Sequence, residues 1–264
     1  MVTVRVSLIQ LAVDAAESPD ARRERAAGLV RAESGSDLVV LPEMWTTGAF
    51  ACAGHLPDEA ESPADGPTAR LMSAAAREAG VWLHAGSIIE QAGADGLFNT
   101  SLVFDPSGRL VRTYRKIHLF GFDEGEAVLM SAGRDVVTAQ LPETVIGLAT
   151  CYDLRFPELF RALVDAGAET LVIPAGWPAA RRAHWTLLAR ARAVEDQAYV
   201  LAVGTAGTNG GVEQAGHSIV VDPWGEVLAE AGPGEEILRA DLDMARVSRT
   251  REEFPALRNR VLGR

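Results

Sequence analysis

The feature that most constrains this chain is an order of elements that occurs twice. In the first half, residues 4–10 read as a strand. Ser18 then caps a helix that has Pro19 at its first position and runs to about Arg31. Residues 38–41 form a short, continuously apolar strand of the kind buried on both faces, and residues 68–79 a helix that stops at Gly80. Strands follow at 81–89, 97–104 and 110–115, the last two joined by Asp105-Pro106-Ser107-Gly108, in which proline presets φ and glycine takes the left-handed position. The second half reads the same way: strand 144–150, helix 157–165, buried strand 170–173, helix 180–197, strand 199–205 and a hairpin turn at Asp222-Pro223-Trp224-Gly225.

Two local echoes tie the halves together. Leu38-Val39-Val40-Leu41-Pro42-Glu43-Met44-Trp45 matches Thr170-Leu171-Val172-Ile173-Pro174-Ala175-Gly176-Trp177, and the two Asp-Pro-x-Gly turns fall at equivalent places. Either match alone could arise by chance; both, in the same order, predict an α/β fold of two related halves. Their sheets pack face to face, with helices outside and an internal pseudo-two-fold. No Gly/Ser/Pro-rich linker or charge run separates the halves, so residues 1–264 read as one domain. The polar, mixed-charge stretch 241–264 reads as a helix and tail docking on the body or on a partner subunit.

Composition narrows the function classes. With 48% hydrophobic and 23% charged residues the chain can build an ordinary core. Two cysteines cannot make a disulfide framework, which suits a reducing compartment. The formal charge of −11 repels phosphate backbones and anionic membranes, so neither nucleic acid nor membrane is expected as a partner. Residues 2–8 carry Arg5 in their middle and do not read as a targeting segment, and no apolar run approaches the roughly 20 residues that span a bilayer. A cytoplasmic protein is expected.

Of the 25 basic residues, 24 are arginine and one is lysine, Lys116. Codon bias accounts for the arginines and makes the survivor informative, because lysine differs from arginine most where a compact, desolvatable ammonium is needed. Lys116 ends the first half's hairpin. Cys151 sits between an apolar strand and the helix opening at Phe156-Pro157, where α/β proteins place their sites. It reads either as an inert core thiol or as a nucleophile. Cys52 lacks such a setting and reads as incidental. Glu43 follows the buried strand 38–41 and is either a solvated loop charge or a partly buried base. A cysteine with pKa near ~8.5 needs a base or a cation to react at neutral pH, and a tetrahedral intermediate needs a fixed donor at its oxyanion. Glutamate, lysine and cysteine are the residue types that supply base, donor and nucleophile.

Leu41-Pro42-Glu43-Met44-Trp45, Tyr114-Arg115-Lys116-Ile117-His118-Leu119-Phe120 and Cys151-Tyr152-Asp153-Leu154-Arg155-Phe156-Pro157-Glu158 resemble the three signature blocks of the nitrilase, or carbon–nitrogen hydrolase, superfamily. The resemblance continues through Ala183-His184-Trp185, residues 192–200 and Gly216-His217-Ser218 to residues 222–226, nearly the whole chain. It implies a four-layer αββα sandwich, homodimers or higher homo-oligomers, and thiol acyl-enzyme chemistry without metal or organic cofactor. It further implies Cys151 as nucleophile, Glu43 as general base, Lys116 as oxyanion stabiliser and the Tyr152 N–H as second oxyanion donor. A second active-site glutamate ahead of a Ser-x-Gly turn matches Glu126, before Ser131-Ala132-Gly133, with Glu124 as the alternative. Trp177 and Phe120 are expected to line the substrate pocket.

Within the superfamily the chain is similar to the ω-amidase-like, aliphatic amidase branch through Gly176-Trp177-Pro178, although many relatives carry Asn where Gly176 stands, which removes a polar contact from the pocket. The implied reaction is hydrolysis of a small amide, favouring ω-amides of dicarboxylates, to carboxylate and ammonia. A nitrilase or N-carbamoyl-amide hydrolase on the same triad and an inactive binding protein of this fold are the alternatives. No histidine block accompanies Cys151 as in papain-like proteases, and zinc-binding, phosphate-loop and dinucleotide motifs are absent from the sequence.

Overall fold

The computed structural model describes residues 2–50, 56–123 and 125–262. The first half contains β1 (Thr3–Gln10), α1 (Pro19–Ala32), β2 (Leu38–Val40), the one-turn α2 (Leu56–Glu59), α3 (Pro67–Ala79), β3 (Trp82–Gln91), β4 (Leu97–Phe104), β5 (Leu110–Arg115) and the short α4 (Glu126–Leu129). The second contains β6 (Thr138–Gln140), β7 (Val145–Leu148), α5 (Pro157–Asp165), β8 (Thr170–Ala175), α6 (Arg182–Asp196), β9 (Tyr199–Gly204), the small hairpin β10 (Thr208–Asn209) and β11 (Val212–Glu213), β12 (Ile219–Val221), β13 (Val227–Glu230), β14 (Glu236–Asp243) and α7 (Ala245–Glu253).

The strands form two six-stranded sheets of matching topology, β14-β1-β2-β3-β4-β5 and β6-β7-β8-β9-β12-β13 when read in the corresponding direction. In each, three central strands run parallel (β1-β2-β3 and β7-β8-β9) and the remaining neighbours pair antiparallel. The period-2 alternation of strand side chains explains why the buried strands are apolar throughout. Leu38 and Val40 face inward with Val4, Val6, Ile146, Leu148, Val172 and Leu201, filling the space between the sheets. Val39 and Leu41 face outward under Ala26, Ala27 and Val30 of α1 and Met72, Ala75 and Ala76 of α3. Leu171 and Ile173 likewise lie under Leu159, Phe160 and Leu163 of α5 and Trp185, Ala189 and Ala193 of α6. Three apolar layers between four layers of structure make the αββα sandwich expected from the repeat.

The helix signals hold locally. Ser18 Oγ accepts from the Ala21 N–H ahead of α1, and Gly80 closes α3 with φ +69°. α6 begins at Arg182, two residues later than expected, because residues 179–181 form a separate 3₁₀ turn. β6, β10, β11 and β14 were not legible as strands, and the last of them completes a sheet. Glu236–Asp243 pairs antiparallel with the whole of β1, so residues 241–243, read as the start of a tail, close the edge of the first half's sheet. Its sequence, Glu-Ile-Leu-Arg-Ala-Asp-Leu-Asp, puts Leu238, Ala240 and Leu242 on the inner face, but the small Ala240 there and the apolar Ile237 on the outer face blur the alternation. Among the described residues, no helix is long and apolar enough to cross a membrane.

Candidate active site

The two halves bring the ends of β2, β5, β7 and β8 to one cavity, lined among others by Glu43, Lys116, Phe120, Glu126, Cys151, Tyr152 and Trp177. All seven expected site residues therefore converge, from five separate stretches of chain. Glu124, the alternative second glutamate, and Cys52 lie outside the described residues.

Glu43 stands three residues beyond β2, on a turn held down by the sheet beside it. Met44, with φ +41°, donates its N–H to Ser87 Oγ (3.1 Å), and the Trp45 indole donates to the Ala85 carbonyl (2.9 Å). The bulge in β3 that permits this carries Gly86 at φ +67°, where a Cβ would lie 1.8 Å from the Pro42 carbonyl oxygen; no other residue type lets the Glu43 turn approach so closely.

Lys116 follows β5, and its ammonium is 1% exposed. It donates to Glu43 Oε1 (2.7 Å) and to Glu126 Oε2 (2.6 Å), so one buried cation is clasped by two buried carboxylates. Asn99, in the middle of β4, donates Nδ2 to both acids, at 2.8 Å to Glu43 and 2.6 Å to Glu126. Glu126, the first residue of α4, also accepts from the Phe120 N–H (3.0 Å). Asn99 was missed in the sequence; its signal is a polar run, Asn99-Thr100-Ser101, inside an otherwise apolar strand.

Cys151 is 7% exposed and has φ +48°, a left-handed conformation that costs a non-glycine residue about 1–3 kcal/mol and recurs at functional turns. The 3₁₀ turn Cys151–Arg155 leads into α5. Asp153, fully buried, ties the cysteine turn to the lysine strand: it accepts from Thr150 N–H (2.8 Å), Tyr114 O–H (2.7 Å) and His118 N–H (2.9 Å), and lies 2.7 Å from His118 Nδ1. The Cys151 thiol points at the Gly176 carbonyl (3.5 Å), while the Gly176 N–H donates to Glu43 Oε2 (2.8 Å). Thiol and carboxylate thus meet on opposite sides of one peptide residue. A Cβ at position 176 would lie 2.5 Å from Ala49 Cβ, so the space for a side chain there is filled by the loop after Glu43.

The electrostatics follow from burial. Desolvation pushes the Glu43 carboxyl above its ordinary value, opposed by Lys116 and reinforced by Glu126. Burial by itself would lower the Lys116 ammonium, but the charges of Glu126 and Glu43 outweigh it and hold the group well above the lysine value, protonated at any working pH. Burial, and then the charge of Glu43, push the Cys151 thiol far up, against the pull of Lys116. The resting site therefore holds a neutral thiol, a fixed cation and a carboxylate with raised proton affinity, an arrangement able to pass a proton from sulfur to Glu43 only as the sulfur attacks.

The cavity lining is aromatic and cationic. Phe120 packs edge-on against Tyr152 (5.4 Å) and Phe50 (6.1 Å), and Trp177 packs on Trp185 (5.4 Å). Arg155 and Arg181 also line the cavity, and neither was given a role from the sequence. Counting lining charges, Lys116, Arg155 and Arg181 against Glu43 and Glu126, the cavity is net positive by one in a chain of net −11.

Comparison with known proteins agrees with the geometry. A family model described as carbon-nitrogen hydrolase matches residues 5–252. The chain is 39% identical over 262 residues to a 2-oxoglutaramate amidase of Paenarthrobacter nicotinovorans (97% of this chain, 88% of the relative). It is 38% identical over 270 residues to the omega-amidase NIT2 of Mus musculus (98% and 96%). The crystal structure of Nit3 from Saccharomyces cerevisiae, described as a member of branch 10 of the nitrilase superfamily, superposes with TM-score 0.87 at 32% identity, covering 96% of this chain and 94% of that one.

Proposed function

The chain belongs to the carbon–nitrogen hydrolase family and is an amidase-type hydrolase of carbon–nitrogen bonds, and from that premise we propose that it cleaves the ω-amide of small dicarboxylates through a thioester on Cys151. The observation that carries the reading is the buried Lys116 ammonium, clasped by Glu43 and Glu126 at 2.7 and 2.6 Å in the cavity that Cys151 also lines.

As Cys151 attacks the amide carbonyl, Glu43 takes the thiol proton. The oxyanion that forms is met by Lys116 and by the Tyr152 N–H. Glu43 returns its proton to the departing nitrogen, ammonia leaves, and the acyl group remains as a thioester. Glu43 then deprotonates a water that attacks the thioester carbonyl. Collapse of the second tetrahedral intermediate expels the thiolate, which recovers the proton, and releases the carboxylic acid. The proton goes to Glu43 rather than Glu126 because Glu43 is the acid within hydrogen-bonding reach of the Cys151 thiol; Glu126, held by Lys116, Asn99 and the Phe120 N–H, keeps the ammonium in place.

The substrate class follows from the cavity's positive balance. An acidic protein repels anions at long range, so an anionic substrate needs cations placed at the site. Arg155, four residues beyond Cys151, lies over Tyr152 (6.0 Å) and Trp177 (5.0 Å), donates to His184 Nδ1 (3.2 Å), and forms no ion pair with a carboxylate among the described residues. A free carboxylate on the acyl chain supplies the missing anion. The relatives called 2-oxoglutaramate amidase and omega-amidase support the same class.

The test is ammonia release from succinamate, 2-oxoglutaramate, uncharged aliphatic amides and matching nitriles, each with a Cys151→Ala control. Release favouring the charged amides and abolished in the control is expected. Preference for uncharged amides or nitriles overturns the substrate assignment, and turnover surviving in the control overturns the cysteine mechanism.

A further inference from the structure

Two adjacent arginines at the start of α6 have opposite fates. Arg182 is half-exposed and points outward to Glu230 (3.5 Å). Arg181 turns the other way, lines the cavity, and rests 5.3 Å above the ring of Phe120. Its own backbone is pinned, because the Trp177 indole N–H donates to the Arg181 carbonyl at 2.8 Å, and Trp177 is itself buried against Trp185. The guanidinium forms no ion pair with a carboxylate among the described residues.

A guanidinium held on an aromatic face, at the end of a rigid 3₁₀ turn, keeps its planar edge free while losing little further side-chain entropy when an anion arrives. It lines the same cavity as Arg155, which rests on Tyr152 and Trp177. We infer that Arg181 is a specificity-determining residue that, together with Arg155, binds the free carboxylate of the amide substrate, so that the cavity selects an acyl chain ending in an anion. The inference rests on the reading of the substrate as a dicarboxylate monoamide, and it assigns part of that selection to a residue outside the three motif blocks.

Succinamate and butyramide differ only in a terminal carboxylate against a methyl group, so the ratio of their kcat/KM values isolates recognition of the charge. That ratio is to be measured in the wild type and in Arg181→Gln, Arg181→Lys and, as a surface control, Arg182→Gln. Hydrogen bonds to charged groups are worth enough that Arg181→Gln is expected to lower kcat/KM for succinamate by about 10- to 100-fold, mainly through KM. Butyramide turnover should fall much less than succinamate turnover, Arg182→Gln should leave both unchanged, and Arg181→Lys should recover part of the loss. Equal losses on both substrates, or no loss on succinamate, overturn the inference while leaving the proposed function standing. A wild type that does not favour succinamate over butyramide overturns the substrate reading itself, before any variant is made.

Discussion

Lys116 is the residue whose replacement separates charge from geometry. Its ammonium sits between two carboxylates, 2.7 Å from one and 2.6 Å from the other, and the three side chains are 1%, 1% and 9% exposed. Lys116→Met keeps the length of the chain and removes the charge, leaving Glu43 and Glu126 buried side by side with Asn99 as their shared donor. Removing one partner of a buried ion pair costs about 3–5 kcal/mol, a large part of the roughly 5–15 kcal/mol that holds a domain folded. The loss should be relieved by acid. Burial already raises the Glu43 carboxyl in the wild type, and without the lysine it rises further. A carboxyl whose folded pKa lies above its unfolded one binds protons preferentially in the native state, so stability is greatest at low pH and falls as pH rises through the folded value. Lys116→Met should therefore be far less stable than wild type in urea at pH 8 and closer to it at pH 5. Lys116→Arg keeps the charge but replaces a single nitrogen by a planar fork wider than the space between the acids. It should stay folded, with an overpacking cost of about 1–3 kcal/mol. Its turnover should nevertheless fall about 10²–10³-fold, the usual effect of losing one oxyanion donor. Near-normal ammonia release by Lys116→Arg would refute the oxyanion role. Equal urea stability of Lys116→Met and wild type at pH 8 would refute the claim that the lysine compensates the buried Glu43 carboxylate.

Three further outcomes are expected. The acid limb of kcat/KM should lie above the ordinary glutamate value of 4.5, since the base must be ionised and burial raises it; a limb at or below that value would remove Glu43 from the role. Asp153→Asn puts an N–H donor where the carboxylate accepts from Thr150, Tyr114 and His118, and should cost about 1–3 kcal/mol in denaturant unfolding, with turnover falling because the cysteine and lysine segments separate; unchanged stability and rate would show that the staple is dispensable. Asp196 is fully buried, paired with Arg161 at 3.2 Å but accepting no hydrogen bond, and burial pushes its carboxyl to about 7. Its raised value stabilises the fold below the ordinary aspartate pKa and forfeits that contribution as pH rises toward 7, so Asp196→Asn should gain in Tm relative to wild type between pH 4 and 8; a Tm difference constant across that range would contradict this.

The order of elements, the two-half repeat and the identity of the reacting groups were legible in the chain itself. Period-2 burial writes Leu38, Val39, Val40 and Leu41 as an unbroken apolar run because both faces of a central parallel strand are covered, and that signal is local. Capping by Ser18, termination by Gly80 and the Asp-Pro-x-Gly turns are local too. Glu43, Lys116 and Cys151 stood out because each follows a strand. β14 did not stand out, because its place is fixed by pairing with β1 more than 200 residues away in sequence, and Ile237 and Ala240 blur its alternation. Asn99 and Arg181 acquire a role only through distance: one touches two acids from separate segments, and the other faces the cavity while its sequence neighbour faces out. The sequence by itself determined most of the strands and helices and the three side chains that can do the chemistry, since propensity and burial act over a few residues. The tertiary structure alone decided that Lys116 lies between Glu43 and Glu126, that Cys151 adopts a strained turn beside them, and that two arginines line the same cavity, because charge, desolvation and contact depend on which distant segments share a space.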